Sequence, residues 1–230
     1  MKIQPYIIVG LLLCMFQCKE KSMDENDSNK IPSINITQRE LVNVIKKDSV
    51  NKYIPKYHDE EIGNISRNID PFIPPDYVLL DTVSGDLNLD NYNDLILVLK
   101  KTTEERTSDV IDNPEKRPLL ILIGEPNNKY KLVERNDNTI YCVNCGGMMG
   151  DPYIQTVIKN GYFSVEHYGG SSLRLTRIIT YKYSKEDKNW FLYKDGGESF
   201  NTSKPEKINK TIKTVNDFGK VLFKDFNIYK

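Results

Sequence analysis

The chain has 230 residues, 39% of them hydrophobic and 10% aromatic, which suits one globular domain with a tail and excludes a fibrous or low-complexity chain. Its 32 Lys and Arg balance 32 Asp and Glu, so the total charge provides no field for nucleic acid or a charged polymer. Net charge alone therefore points to no particular partner.

Residues 1–18 read as a targeting segment and stand outside the fold. Lys2 supplies a basic start and Ile7 to Phe16 an apolar core, after which Gln17-Cys18-Lys19-Glu20-Lys21 turns polar. That core is shorter than the ~20 residues a bilayer-spanning helix needs. The segment resembles a bacterial lipoprotein signal, with Gln17 and Met15 where that pattern usually has a small residue and Leu. The resemblance implies that Cys18 is diacylated and becomes the mature N-terminus, so the protein is exported and held at the membrane by a lipid anchor. Lys19 after the Cys, rather than Asp, is compatible in that pattern with outer-membrane delivery.

Residues 19–35 are charged and poor in apolar side chains, as in a solvated tether, and a single domain is expected over 36–230. Thr37-Gln38-Arg39-Glu40 is a capping-box pattern followed by Leu41, Val42 and Ile45, which predicts one short helix over 38–47. Pro55, Pro71, Pro74 and Pro75 then predict irregular chain over 48–75.

From Tyr77 the pattern is strand after strand. Strands are expected at Tyr77–Val83, Leu95–Leu99, Leu119–Ile123 and Tyr130–Glu134, with a charged excursion over 100–117. Tyr153–Ile158 and Tyr162–Tyr168 flank Asn160-Gly161, a hairpin turn pair. Arg174–Tyr183 and Trp190–Tyr193 follow, and the spaced aromatics of Val215–Tyr229 predict a last strand. The fold class is mainly β, with antiparallel blade-like sheets or a sandwich; the length is too small for a closed propeller of four or more blades.

Between the first two strands, Asp86, Asn88, Asp90 and Asp94 take the first, third, fifth and ninth places of a tight loop, with the carbonyl of Tyr92 at the seventh. That spacing suits a hard cation such as Ca²⁺. An EF-hand is excluded, because its twelfth place would be Leu97, inside a strand. The stretch from Tyr77 to about Gly124 resembles the calcium loop of FG-GAP/VCBS-type repeats, as in integrin-like β-propeller blades, with Asn91 at the place the family gives to Gly. The resemblance implies a structural Ca²⁺ held by Asp86, Asn88, Asp90, Tyr92 and Asp94. The alternative is a metal-free turn held by Asx side chains capping backbone amides.

Cys142 and Cys145 are the only thiols left if Cys18 is lipidated, and an even pair in an exported protein predicts a disulfide. A redox role would need a helix N-terminus after the first Cys, and Gly146-Gly147-Met148-Met149-Gly150-Asp151-Pro152 cannot start a regular one. His167 lies near Ser171 and Ser172, yet no nucleophile-elbow pattern surrounds them; His167 shares a strand face with Val165 and reads as a partly buried strand residue. These residues together predict a lipid-anchored β-domain that binds a ligand or serves the envelope rather than one that catalyses. The competing readings are an immunity or inhibitor lipoprotein that blocks a toxin or hydrolase through loop 100–117 or 146–151, and a thiol-redox enzyme using Cys142 and Cys145. A protein partner is compatible with either binding reading; nucleic acid is not indicated.

Overall fold

The computed structural model describes residues 68–230; the expected signal segment with Cys18, the expected tether and the helix expected over 38–47 lie outside the described residues. Two antiparallel meanders follow each other along the chain. Strands β1 (Tyr77–Gly85), β2 (Asp94–Lys101), β3 (Leu119–Glu125) and β4 (Lys129–Asn136) form a four-stranded sheet in sequence order. Strands β5 (Tyr153–Lys159), β6 (Tyr162–Gly170), β7 (Leu173–Ser184), β8 (Asn189–Asn201) and β9 (Lys204–Thr214) form a five-stranded one. The mainly-β, two-sheet architecture expected from the strand spacing is thus present.

Two tight hairpins set the order. Asn127 and Asn128 join β3 to β4 with φ of 67° and 55°, and Asn160 and Gly161 join β5 to β6 with φ of 49° and 75°. Positive φ at both central residues is the geometry whose twist matches a hairpin, and Asn and Gly reach it most cheaply. The longer β2–β3 connection contains one turn of helix, α1 (Glu104–Thr107).

The two sheets bury their side chains differently. From Asp94 to Leu99 every residue of β2 is buried, as is β3 from Leu119 to Leu122. In register, Ile96 opposes Ile121 and Val98 opposes Leu119 on one face, while Leu95 opposes Leu122 and Leu97 opposes Leu120 on the other. A continuous apolar strand is stable only with cover on both faces. The inner face meets Phe163, Val165, Ile179, Tyr181, Trp190 and Leu192 of the five-stranded sheet. The outer face is packed by Phe72, the last residue of a 3-10 turn at Asp70–Phe72, and by Ile69 and Ile73 on either side of that turn. In β6, by contrast, Phe163, Val165 and His167 are buried and alternate with half-buried residues, the period of a sheet covered on one side.

The end of the chain departs from the expected last strand. Val215–Phe218 is a helical turn, α2, entered through the Thr214 amide, which donates to the Asp217 carboxylate at 2.7 Å. A second turn at Phe223–Asp225 follows, and only Leu222 bridges to Phe191. The spaced aromatics have another task. Phe223 and Phe226 set their rings edge-on to Tyr181, 5.2 and 5.8 Å between centroids, and Phe223 also meets Phe163 at 5.5 Å. Asn136 fixes this plug by donating from Nδ2 to the carbonyls of Phe223 and Phe226. The outermost strand is instead β9, whose Lys-rich sequence carries no apolar alternation strong enough to announce it.

Candidate functional site

The turn between β1 and β2 is built by its own side chains. Asp86 accepts the amides of Leu89 and Asp90 on Oδ1, at 2.6 and 3.2 Å, and of Asn91 on Oδ2 at 3.1 Å. Asn88 accepts the Asp90 amide at 3.0 Å and donates to Asp90 Oδ2 at 2.7 Å; Asp90 Oδ1 accepts the Tyr92 amide at 2.8 Å. These bonds hold Leu89 and Asn91 at φ of 63° and 71°, which explains the polar residue where a glycine would otherwise be favoured.

Asp94 works from beneath. It is fully buried, and its two carboxylate oxygens take the amides of Leu87 at 2.7 Å and Gly124 at 2.9 Å. It therefore ties the turn to the end of β3. Burial raises its pKa and the charge of Asp90 adds to the rise, against the pull of the two amides. Gly124 is required there, since a Cβ would stand 2.3 Å from the carbonyl oxygen of Asn93. Leu89 folds over Gly161, whose amide donates to the Asp86 carbonyl at 3.2 Å, so the turn also touches the β5–β6 hairpin.

The residues expected to hold a cation thus fall into two groups. Asp86, Asn88 and Asp90 share one turn with Tyr92, whereas Asp94 clamps the strands. A carboxylate has about four acceptor positions, so the three amides on Asp86 and two donors on Asp90 leave each some capacity for a hard cation. Among the described residues, no three His, Cys, Asp or Glu side chains converge into a metal cluster in this arrangement.

The other sequence-marked residues lie on the connection from β4 to β5 and on β6. Cys142 and Cys145 form a disulfide across a four-residue turn, Cα atoms 5.1 Å apart, and the Cys142 amide donates to the Tyr229 hydroxyl at 2.9 Å. His167 is 3% exposed, with the Tyr141 and Tyr153 rings 5.0 and 6.2 Å away. Burial, with the positive charges of Arg177 and Arg117 nearby, pushes its pKa down to about 3. Its Nε2 accepts from the Tyr141 amide at 3.4 Å, consistent with a neutral ring.

A buried Arg117 went unmarked in the sequence, hidden in the charged excursion. It is wholly covered and makes two-pronged pairs with Glu104, at 2.9 and 2.6 Å, and with Asp151, at 2.7 Å each. Burial opposes its charge, and the two carboxylates outweigh that and keep it protonated. Arg177 is held in the same manner by Asp195, at 3.0 and 2.7 Å, and donates to the Ile228 carbonyl. Tyr153 donates to Asp81 at 2.6 Å, and burial with that negative charge raises its pKa.

The balanced total charge conceals a separation. Residues 68–152, which contain the four-stranded sheet, carry 15 Asp and Glu against 8 Lys and Arg, a net −7. Residues 153–214, the five-stranded sheet, carry 11 Lys and Arg against 6 Asp and Glu, a net +5. The lysine spacing in β7 to β9 was the available signal, and without strand register it could not be assigned to a face.

Fold and site together define a two-sheet antiparallel β-sandwich with an acidic turn at its seam and opposite charge on its two halves. Compared with known proteins, the chain matches no family model, no curated protein and no solved structure.

Proposed function

We propose that this protein is an exported, lipid-anchored β-sandwich that acts by binding, with a structural Ca²⁺ in the turn at 86–94. The observation that carries the binding reading is where the reactive side chains stand. Cys142 and Cys145 are joined in the connection between β4 and β5, and His167 sits neutral and buried beside the Tyr141 and Tyr153 rings, so neither thiol is free and the imidazole is covered. The chain's exposed residues are left to meet a partner.

Asp86, Asn88 and Asp90, with the Tyr92 carbonyl, would hold the ion, and Asp94 would add charge from below while keeping its two amides. The ion would supply charge neutralisation for Asp86 and Asp90 in the turn, and for Asp94 beneath it, whose charge is disfavoured by that of Asp90. Binding to the folded state alone stabilises it by RT ln(1 + [Ca²⁺]/Kd), about 2.7 kcal/mol at a hundredfold excess over Kd. Millimolar Ca²⁺ should therefore raise the melting temperature over chelator, and Mg²⁺ should do so less. Asp90→Ala should remove the difference while Asp112→Ala, outside the turn, keeps it. Identical melting of the unaltered protein in chelator and Ca²⁺ would leave only the capped turn.

The anchor is tested separately. Fatty-acid label should enter the unaltered chain and be lost in Cys18→Ala, which should leave the membrane fraction or accumulate as precursor. Label retained in Cys18→Ala would refute the anchor.

A further inference from the structure

We infer that the outer face of the five-stranded sheet is a docking surface for an anionic lipid bilayer, a contact separate from the anchor at Cys18. Register assigns the face. Phe163, Val165, Ile179 and Tyr181 point into the core, so the residues alternating with them and their cross-strand partners point away. This outward set includes Lys159, Arg174, Lys182, Lys194 and Lys210 against Glu166 and Glu198. Of these two acids, Glu198 is paired with Lys210 at 2.7 Å and Glu166 accepts from Gln155 at 3.0 Å.

Apolar and aromatic side chains are interleaved with these cations. Ile178 and Ile212 flank Gly196 in one cross-strand row and are 38% and 64% exposed. Phe200 and Ile208 form the next such pair along β8 and β9. Lys182 stands over the Tyr162 and Tyr193 rings, at 5.4 and 5.7 Å from their centroids. Lysines, isoleucines and tyrosines on one face suit a lipid interface: Tyr sits well at the headgroup level, and a Lys stem can lie on apolar surface with its ammonium at the phosphates. The sheet is about 20 Å across and about 40 Å along its longest strand, wide enough to lie on a bilayer.

Charge selects the occupant. The half of the protein bearing this face is net positive and the opposite half net negative, so an anionic plane orients it with the five-stranded sheet down. Lysines on an edge strand also discourage strand-to-strand aggregation, and that accounts for β9. It does not account for Arg174, Lys182 and Lys194, which lie on β7 and β8 inside the sheet.

The test uses the full chain as Cys18→Ala, so that no acyl chain contributes, and two kinds of vesicle. One is phosphatidylcholine alone; the other is an equal mixture with phosphatidylglycerol. Both receive any background from the apolar segment near the N-terminus, so the readout is the ratio of binding to the two. That ratio should exceed one and fall with added salt. The triple variant Lys182→Glu, Lys194→Glu, Lys210→Glu should lower binding to the mixed vesicles by about a hundredfold or more, from a factor of roughly five for each lost cation near the surface. The triple variant Lys116→Glu, Lys129→Glu, Lys131→Glu makes the same charge change in the four-stranded half, and should retain most of the binding. Equal binding to both vesicles, or equal loss in both variants, would overturn the proposal and give the face to another partner. Failure of the anchor reading would show instead in the fatty-acid label.

Discussion

The four-stranded sheet buries Leu95, Leu97 and Leu99 on the face turned away from its partner, while the five-stranded sheet leaves Ile178 and Ile212 uncovered on the equivalent face. Both sheets contribute to one inner cluster, and Phe223, Phe226 and Ile228 complete it from the C-terminal segment. They differ in what lies behind them. One is closed by Ile69, Phe72 and Ile73 and joined to the acidic turn; the other is open, basic and rich in Tyr and Lys. Two sheets of similar topology thus divide the work: the first is spent on the fold and the second presents a surface.

The largest effect expected from this division comes from the inner face, where the five-stranded sheet buries His167 with Phe163 and Val165. His167 has a folded pKa near 3 against about 6.5 in the unfolded chain, so the unfolded state binds more protons between those values. Stability should then be full above about pH 6.5 and fall as the pH drops toward 3, by up to about 1.4 kcal/mol per pH unit. Over the whole window that amounts to roughly 4–5 kcal/mol at most. Urea unfolding between pH 5 and 6.5 lies above the range of ordinary carboxylates, and a His167→Gln comparison separates this group from Asp94, whose pKa is raised by burial. His167→Gln should flatten the slope there; an unchanged slope would mean that the imidazole is solvated and the core open at that point.

Much of this was legible in the residues. Apolar runs such as Leu95–Leu99 announced strands, and Asn160-Gly161 announced its hairpin through the positive φ that those residues tolerate. The oxygen spacing from Asp86 to Asp94 marked a structured turn, and Cys142 with Cys145 marked a disulfide. Other features depend on distant partners. Arg117 looked like one more surface charge until Glu104 and Asp151 closed on it from 13 and 34 residues away. Aromatic spacing at 215–229 was read as strand because Phe223 and Phe226 plug a core that the local sequence does not describe. The charge separation was invisible for a related reason: a total of zero cannot report which sheet each lysine joins.

The division between the sheets is tested most directly by truncating one apolar side chain on each outer face and measuring equilibrium urea unfolding at pH 7. Leu97, on the outer face of the four-stranded sheet, is 0% exposed, and Leu97→Ala should cost about 2–5 kcal/mol. Ile212, on the outer face of the five-stranded sheet, is 64% exposed, and Ile212→Ala should stay within about 0.5 kcal/mol of the unaltered protein. Losses of similar size at the two positions would mean that both outer faces are covered, and would contradict the account.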